Sequence, residues 1–72
     1  MKRFLEYSRH HHRRIKAVFF EDGKMSQQNI TVLEYDEETF TYISAKQKSP
    51  RRLPMETLLT AGYARGDHGE TE

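Results

Sequence analysis

The pair Asp22-Gly23 constrains this chain more than any other feature, because it stands between two runs that favour extended backbone. Residues 15–20 read Ile-Lys-Ala-Val-Phe-Phe, and residues 29–35 read Asn-Ile-Thr-Val-Leu-Glu-Tyr. An Asp-Gly step accepts the positive φ that a tight hairpin turn demands, so the two runs are expected to pair as antiparallel strands, the second covering residues 25–35. The acidic turn Asp36-Glu37-Glu38 and the alternating run Thr39-Phe40-Thr41-Tyr42-Ile43-Ser44-Ala45 add a third strand by the same reasoning. Residues 46–50 read as a polar, basic loop. Arg51-Arg52-Leu53-Pro54 reads as a short edge segment, since a residue before proline avoids the helical region. Residues 55–59 fit one helical turn, and residues 60–64 a last short strand.

Ahead of the strands, nothing between residues 2 and 12 breaks a helix, and the spacing of Phe4, Tyr7 and His11 places them on one face. A short amphipathic helix over about residues 2–12 is expected. With 72 residues there is room for one core, and the absence of cysteine excludes both a disulfide framework and a thiolate metal site. We read residues 1–65 as one domain and residues 66–72 as a disordered acidic tail, because the tail contains no apolar anchor.

Hydrophobic residues make up 35% of the chain and charged residues 32%, so the core must be thin and must lean on four phenylalanines and four tyrosines. The predicted core is Ile15, Val18, Phe19, Val32, Leu33, Phe40, Ile43, Leu53, Leu58 and Leu59. A core this small makes self-association favourable, since a second copy supplies apolar cover. No run approaches the ~20 apolar residues of a membrane span, and the basic start Met1-Lys2-Arg3 lacks the apolar stretch of a signal peptide. A cytoplasmic location without membrane contact is expected.

Helix, then four to five antiparallel strands joined by tight turns, with a helical turn before the last, is the layout of a small SH3-type barrel. Residues 14–62 resemble the Sm-like barrels, and among them the WYL-like and YolD-like small bacterial domains. The matching pieces are residues 15–20, Asp22-Gly23, residues 32–36, residues 40–43, and Arg52-Leu53-Pro54 through Leu58-Leu59. The chain has no Trp-Tyr-Leu triplet; Phe40-Thr41-Tyr42-Ile43 stands in its place, and Gly62 stands near the glycine of Sm repeats. The resemblance implies a mainly β fold of SH3-type or Sm-like class and favours nucleic-acid binding.

Charge is segregated although the net charge is only +1. Lys2, Arg3, Arg9, Arg13, Arg14 and Lys16 face one acid, Glu6, in the first sixteen residues. Glu21, Asp22, Glu34, Asp36, Glu37 and Glu38 then dominate, before Lys46, Lys48, Arg51 and Arg52 reverse the sign. Such blocks are solvated faces that pair with the acidic turns of the same chain, or they serve a polyanion, a partner protein or a second copy. The candidate contact residues are Arg13, Arg14, Lys46, Lys48, Arg51 and Arg52, with Tyr42 and Tyr7 as stacking surfaces for nucleobases.

Catalytic chemistry finds no footing. The consecutive imidazoles His10-His11-His12 point ~100° apart on a helix and do not converge on one metal ion. No serine sits in a nucleophile elbow, no glycine-rich phosphate loop follows a strand, and the acidic turn lacks calcium-loop spacing. The sequence therefore predicts a non-enzymatic interaction or regulatory module, without cofactor or metal, acting through protein contact or self-assembly at barrel edges. The alternative is binding of RNA or single-stranded DNA through residues 9–16 and 46–52.

Overall fold

A computed structural model describes residues 2–45 and 47–66, apart from the side chain of Lys48. Helix α1 (Lys2–His11) precedes strands β1 (Ile15–Glu21), β2 (Lys24–Tyr35), β3 (Thr39–Ser44), β4 (Gln47–Pro54) and β5 (Leu58–Tyr63), with a short 3-10 helix (Met55–Thr57) between the last two. All pairings are antiparallel, and the sheet order is β4-β3-β2-β1-β5. The mainly β architecture with one N-terminal helix matches the expectation. No ladder joins β4 to β5 among the described residues, so the sheet is open where a barrel was expected.

The sheet nonetheless curls. A flat sheet would place β4 and β5 roughly 19 Å apart, four strand spacings of ~4.8 Å. Only Met55, Glu56 and Thr57 connect them, and even a fully extended link of that length reaches about 14 Å. The edges must therefore bend toward each other at this end. The backbone N–H of Met55 donates to the Glu38 carbonyl at 2.6 Å and ties the connection to the β2–β3 turn.

The β1–β2 turn has φ of 51° at Asp22 and 75° at Gly23, the doubly positive pair of a tight hairpin turn. It fixes an unbroken register from Glu21↔Lys24 to Ile15↔Ile30. Ile15, Ala17 and Phe19 consequently share the inner face, where they pack with Leu5, Ile30, Val32, Phe40, Tyr42, Leu53 and Leu58. Phe19 stacks on Phe40 and Tyr42 with ring centroids 5.8 and 5.4 Å apart.

Four of the predicted core residues lie elsewhere. Leu33 and Leu59 are exposed because each sits at a register shift, Leu33 between Val32 and Glu34 and Leu59 opposite the Val18/Phe19 step. A bulge residue falls outside the alternation of its strand. Val18 and Ile43 are half-buried. Leu5, Ala17, Ile30 and Tyr42 take their places. The expected basic loop at residues 46–50 also proves shorter, since β4 begins at Gln47 and accommodates Pro50 at a bulge on the sheet edge. The last strand starts at Leu58 instead of Thr60, and the expected turn of helix ends at Thr57.

Helix α1 stops one residue earlier than expected. His12 has φ of 56°, and the N–H of Arg13 reaches back to the Ser8 carbonyl at 3.3 Å, the bond pattern of a left-handed C-terminal cap. Glycine occupies that conformation without the Cβ penalty, so His12→Gly should raise stability by about 0.5–1 kcal/mol. A urea titration giving a lower midpoint would show that the imidazole contributes more than the strain it carries.

Ser8 joins helix to sheet. Its hydroxyl is fully buried, donates to the Arg13 carbonyl at 2.6 Å and accepts from the Val32 N–H at 2.8 Å. Val32 needs this acceptor because β1 begins at Ile15, opposite Ile30, leaving no strand partner on that side.

Candidate functional site

Strand β2 has twelve residues, while its neighbours are shorter and are placed at different ends. β1 covers residues 24–30 and β3 covers residues 30–35. Residues 24–29 therefore have a strand on one side only. A two-residue hairpin of this kind closes on a hydrogen-bonded pair, here Glu21 and Lys24. Residues 24, 26, 28 and 30 then direct their backbone groups to β1, and Met25, Gln27 and Asn29 direct theirs to the open side. The same alternation puts the Val32 N–H on the β1 side, where Ser8 takes it.

A cleft of about 240 Å³ runs beside this open half-edge, lined by Arg14, Gln27, Gln28, Asn29, Ser44 and Ala45. Neighbouring side chains of a strand point to opposite faces. Gln27, Gln28 and Asn29 share a concavity bounded by Arg14 from the β1 side and by Ser44 and Ala45 from the β3 side, at the start of the uncovered half of β2. Ser44 and Ala45 close it where β3 ends. Arg14 is exposed and forms no ion pair with any described residue, and no acidic side chain lines the cleft.

The structure separates the remaining basic candidates. Arg51 lies opposite Tyr42 on the inner face and holds Glu21 through two bonds, Nη2 to Oε2 at 2.7 Å and Nη1 to Oε1 at 3.3 Å. Burial disfavours the Arg51 charge, but the neighbouring Tyr42 and Glu21 outweigh it and hold its pKa above the ordinary arginine value. Arg52 points to the other face, donating to Thr39 Oγ1 at 3.1 Å and approaching Asp36 at 3.9 Å. Both arginines are thus partnered within the chain. Arg13 serves the helix end through its backbone. Lys46 and the Lys48 side chain lie outside the described residues.

Tyr42 is not a stacking surface. Its side chain is fully buried between Phe19 and Phe40, with its hydroxyl beside Arg51. Tyr7 is half-buried against the core, in edge-to-face contact with Tyr63 at 5.2 Å, and Tyr63 also meets Phe4 at 5.0 Å. Arg3, His10 and His11 border an open concavity with Tyr7 and Tyr63. Sequence reasoning missed Tyr63 and residues 27–29. The partner of Tyr63 comes from α1, and the openness of β2 depends on where β3 stops, neither of which is a local signal.

Two of the large exposed apolar side chains, Phe20 and Met25, are cross-strand partners at the tip of the β1–β2 hairpin. Among the described residues no group of three histidines or carboxylates is arranged to hold a metal, and no helix is long and apolar enough to cross a membrane.

Two carboxylates tie surface elements together. The backbone N–H groups of Thr39 and Glu38 donate to Asp36 Oδ1 at 2.8 Å each and hold its pKa below the usual 3.8. Arg9, then Tyr35, does the same for Glu6 relative to 4.5. A pKa lowered by folding adds stability above the unfolded value and loses it as pH falls through the folded value. Stability should be flat from neutrality to about pH 5 and decline below about pH 4.5. Asp36→Asn keeps the turn acceptor without the charge and should flatten part of that decline. Denaturant titrations at pH 3 and pH 6 check this, and an unchanged acid slope would exclude Asp36 as a contributor.

Comparison with protein-family models, with curated proteins and with solved structures finds no match for this chain.

Proposed function

We propose that this chain is a non-enzymatic interaction module that takes up an extended segment, from a protein partner or a second copy, as an added strand on the open half of β2. The supporting observation is the cleft along residues 27–29, where Gln27 and Asn29 direct backbone groups away from β1. Strand addition satisfies such groups and gives affinity through main-chain bonds. The other edges are less suited. β4 carries Pro50, Pro54 and a bulge, and β5 carries a bulge at Leu59 with its end packed on α1 through Tyr63.

The curl imposed by the three-residue β4–β5 connection and the helix lying before β1 support an SH3-type or Sm-like scaffold for this module. The cysteine-free composition supports a cytoplasmic setting. A second reading, binding of RNA or single-stranded DNA, draws on Arg14 and on Tyr7 and Tyr63 beside Arg3, His10 and His11. Arg51 and Arg52 weigh against it, because each already has a partner within the chain.

Amide hydrogen exchange followed by NMR tests the open edge directly. The N–H groups of Met25, Gln27 and Asn29 should exchange faster than those of Ser26, Gln28 and Ile30. Gln27→Pro removes one outward donor and leaves the β1 ladder intact, so it should abolish uptake of a strand-forming peptide, and concentration-dependent sedimentation if the partner is a second copy. A wild-type protein that stays monomeric and binds no such peptide would overturn the proposal. A single-stranded oligonucleotide bound with a steep salt dependence, through Arg14, would favour the second reading.

A further inference from the structure

The cleft beside β2 has a chemical asymmetry that bears on what kind of strand it accepts. Its lining residues are Gln27, Gln28, Asn29, Ser44, Ala45 and Arg14. Only one of these side chains is charged, and that charge has no counter-ion among the described residues. The other arginines flanking the sheet differ in this respect, since Arg51 holds Glu21 and Arg52 contacts Thr39 and Asp36. A guanidinium presents a planar fork that matches a carboxylate with two parallel bonds.

We infer that the occupant of this cleft is an extended peptide segment bearing a carboxylate side chain, whose backbone pairs with Met25, Gln27 and Asn29 while Arg14 receives the carboxylate. The inference rests on the strand-addition reading above and adds to it the chemistry of the partner. A basic or proline-rich segment fits poorly. The first would set its charge against Arg14, and the second lacks the donors that the carbonyls of Met25 and Gln27 require.

The arrangement separates two contributions. Backbone pairing along Gln27 and Asn29 supplies affinity without regard to sequence, whereas Arg14 supplies discrimination. Because Arg14 stands at the wall of the cleft and not on β2, its replacement leaves the backbone edge untouched. The two contributions can therefore be measured apart.

The probes are blocked peptides of alternating threonine and valine with one central glutamate, a twin with glutamine in its place, and a twin N-methylated along one backbone edge. In ¹H–¹⁵N titrations of the whole chain, the glutamate peptide should perturb Gln27, Asn29 and Ala45 and bind about fivefold or more tightly than the glutamine twin. Arg14→Gln should erase that difference, Arg14→Lys should restore part of it, and the N-methylated twin should not bind. Thermal melts matching the wild type will show that the variants fold. Equal binding of the glutamate and glutamine twins would overturn the carboxylate preference while leaving strand addition intact. Failure of both to bind would overturn strand addition itself. Perturbation of the same residues by inorganic phosphate or a short oligothymidylate, with none from the peptides, would overturn the inference in favour of a polyanion site.

Discussion

Replacing Phe19 by alanine should remove a large share of the domain's stability. Phe19 is fully buried, stacks on Phe40 and Tyr42, and lies opposite Leu58 across the β1–β5 ladder. Truncating a buried phenylalanine costs about 3–5 kcal/mol. A domain of this size has a total stability of roughly 4–11 kcal/mol. The loss should lower the melting temperature by at least ~12 °C, at 4–8 °C per kcal/mol. Phe20 is the control, being next in sequence but half exposed on the opposite face. Phe20→Ala should cost less than about 1 kcal/mol. Circular dichroism melts of the two variants decide the matter, and equal losses would mean that the register of β1 is one residue out.

Ser8→Ala should destabilise the chain by about 2–3 kcal/mol, far more than a serine in a helix ordinarily contributes. The hydroxyl satisfies two buried backbone groups at once, the Arg13 carbonyl and the Val32 N–H. An alanine there leaves both without a partner where its own methyl excludes water. Urea titration gives the energy, and exchange of the Val32 amide gives the location, since that proton should lose its protection before its neighbours in β2 do. A variant of unchanged stability would show that the helix end can shift to let water in.

The contrast between these residues indicates which parts of the structure are legible in the sequence. Phe19 follows from local rules: Asp22-Gly23 fixes the hairpin, and alternation from Ile15 carries the inner face through Ala17 to Phe19. Val18, expected in the core beside Phe19, falls instead on the opposite face with Lys16 and Phe20. Leu33 and Leu59 break the pattern because bulges depend on how much strand lies on the far side. Ser8 was invisible for a different reason. A serine among apolar residues looks like a weak point of the helix face, and only a tertiary contact twenty-four residues away reveals its role.

The candidate site divides in the same way. Arg14 was marked by charge alone. That Arg51 and Arg52 pair with acidic turns follows from the alternation of charged blocks, whereas the particular partner of Arg51, Glu21 at a separation of thirty residues across the curled face, does not. The open half of β2 arises from a mismatch of lengths, twelve residues against seven in β1 and six in β3. The length of the second strand is legible in residues 25–35, but the register that leaves its first half uncovered is not.

The position of β5 beside β1 matters for how the chain is made. Ile15 pairs with Tyr63, so the first strand to leave the ribosome waits for the last before its outer edge is covered. At ~5–20 residues per second that interval lasts some seconds. Throughout it Ile15, Ala17 and Phe19 have β2 beside them and lack the Leu58 side of their core. The nascent chain thus exposes an apolar hairpin until synthesis has passed residue 63, and closing a loop of that length is an entropic barrier that no local contact can lower.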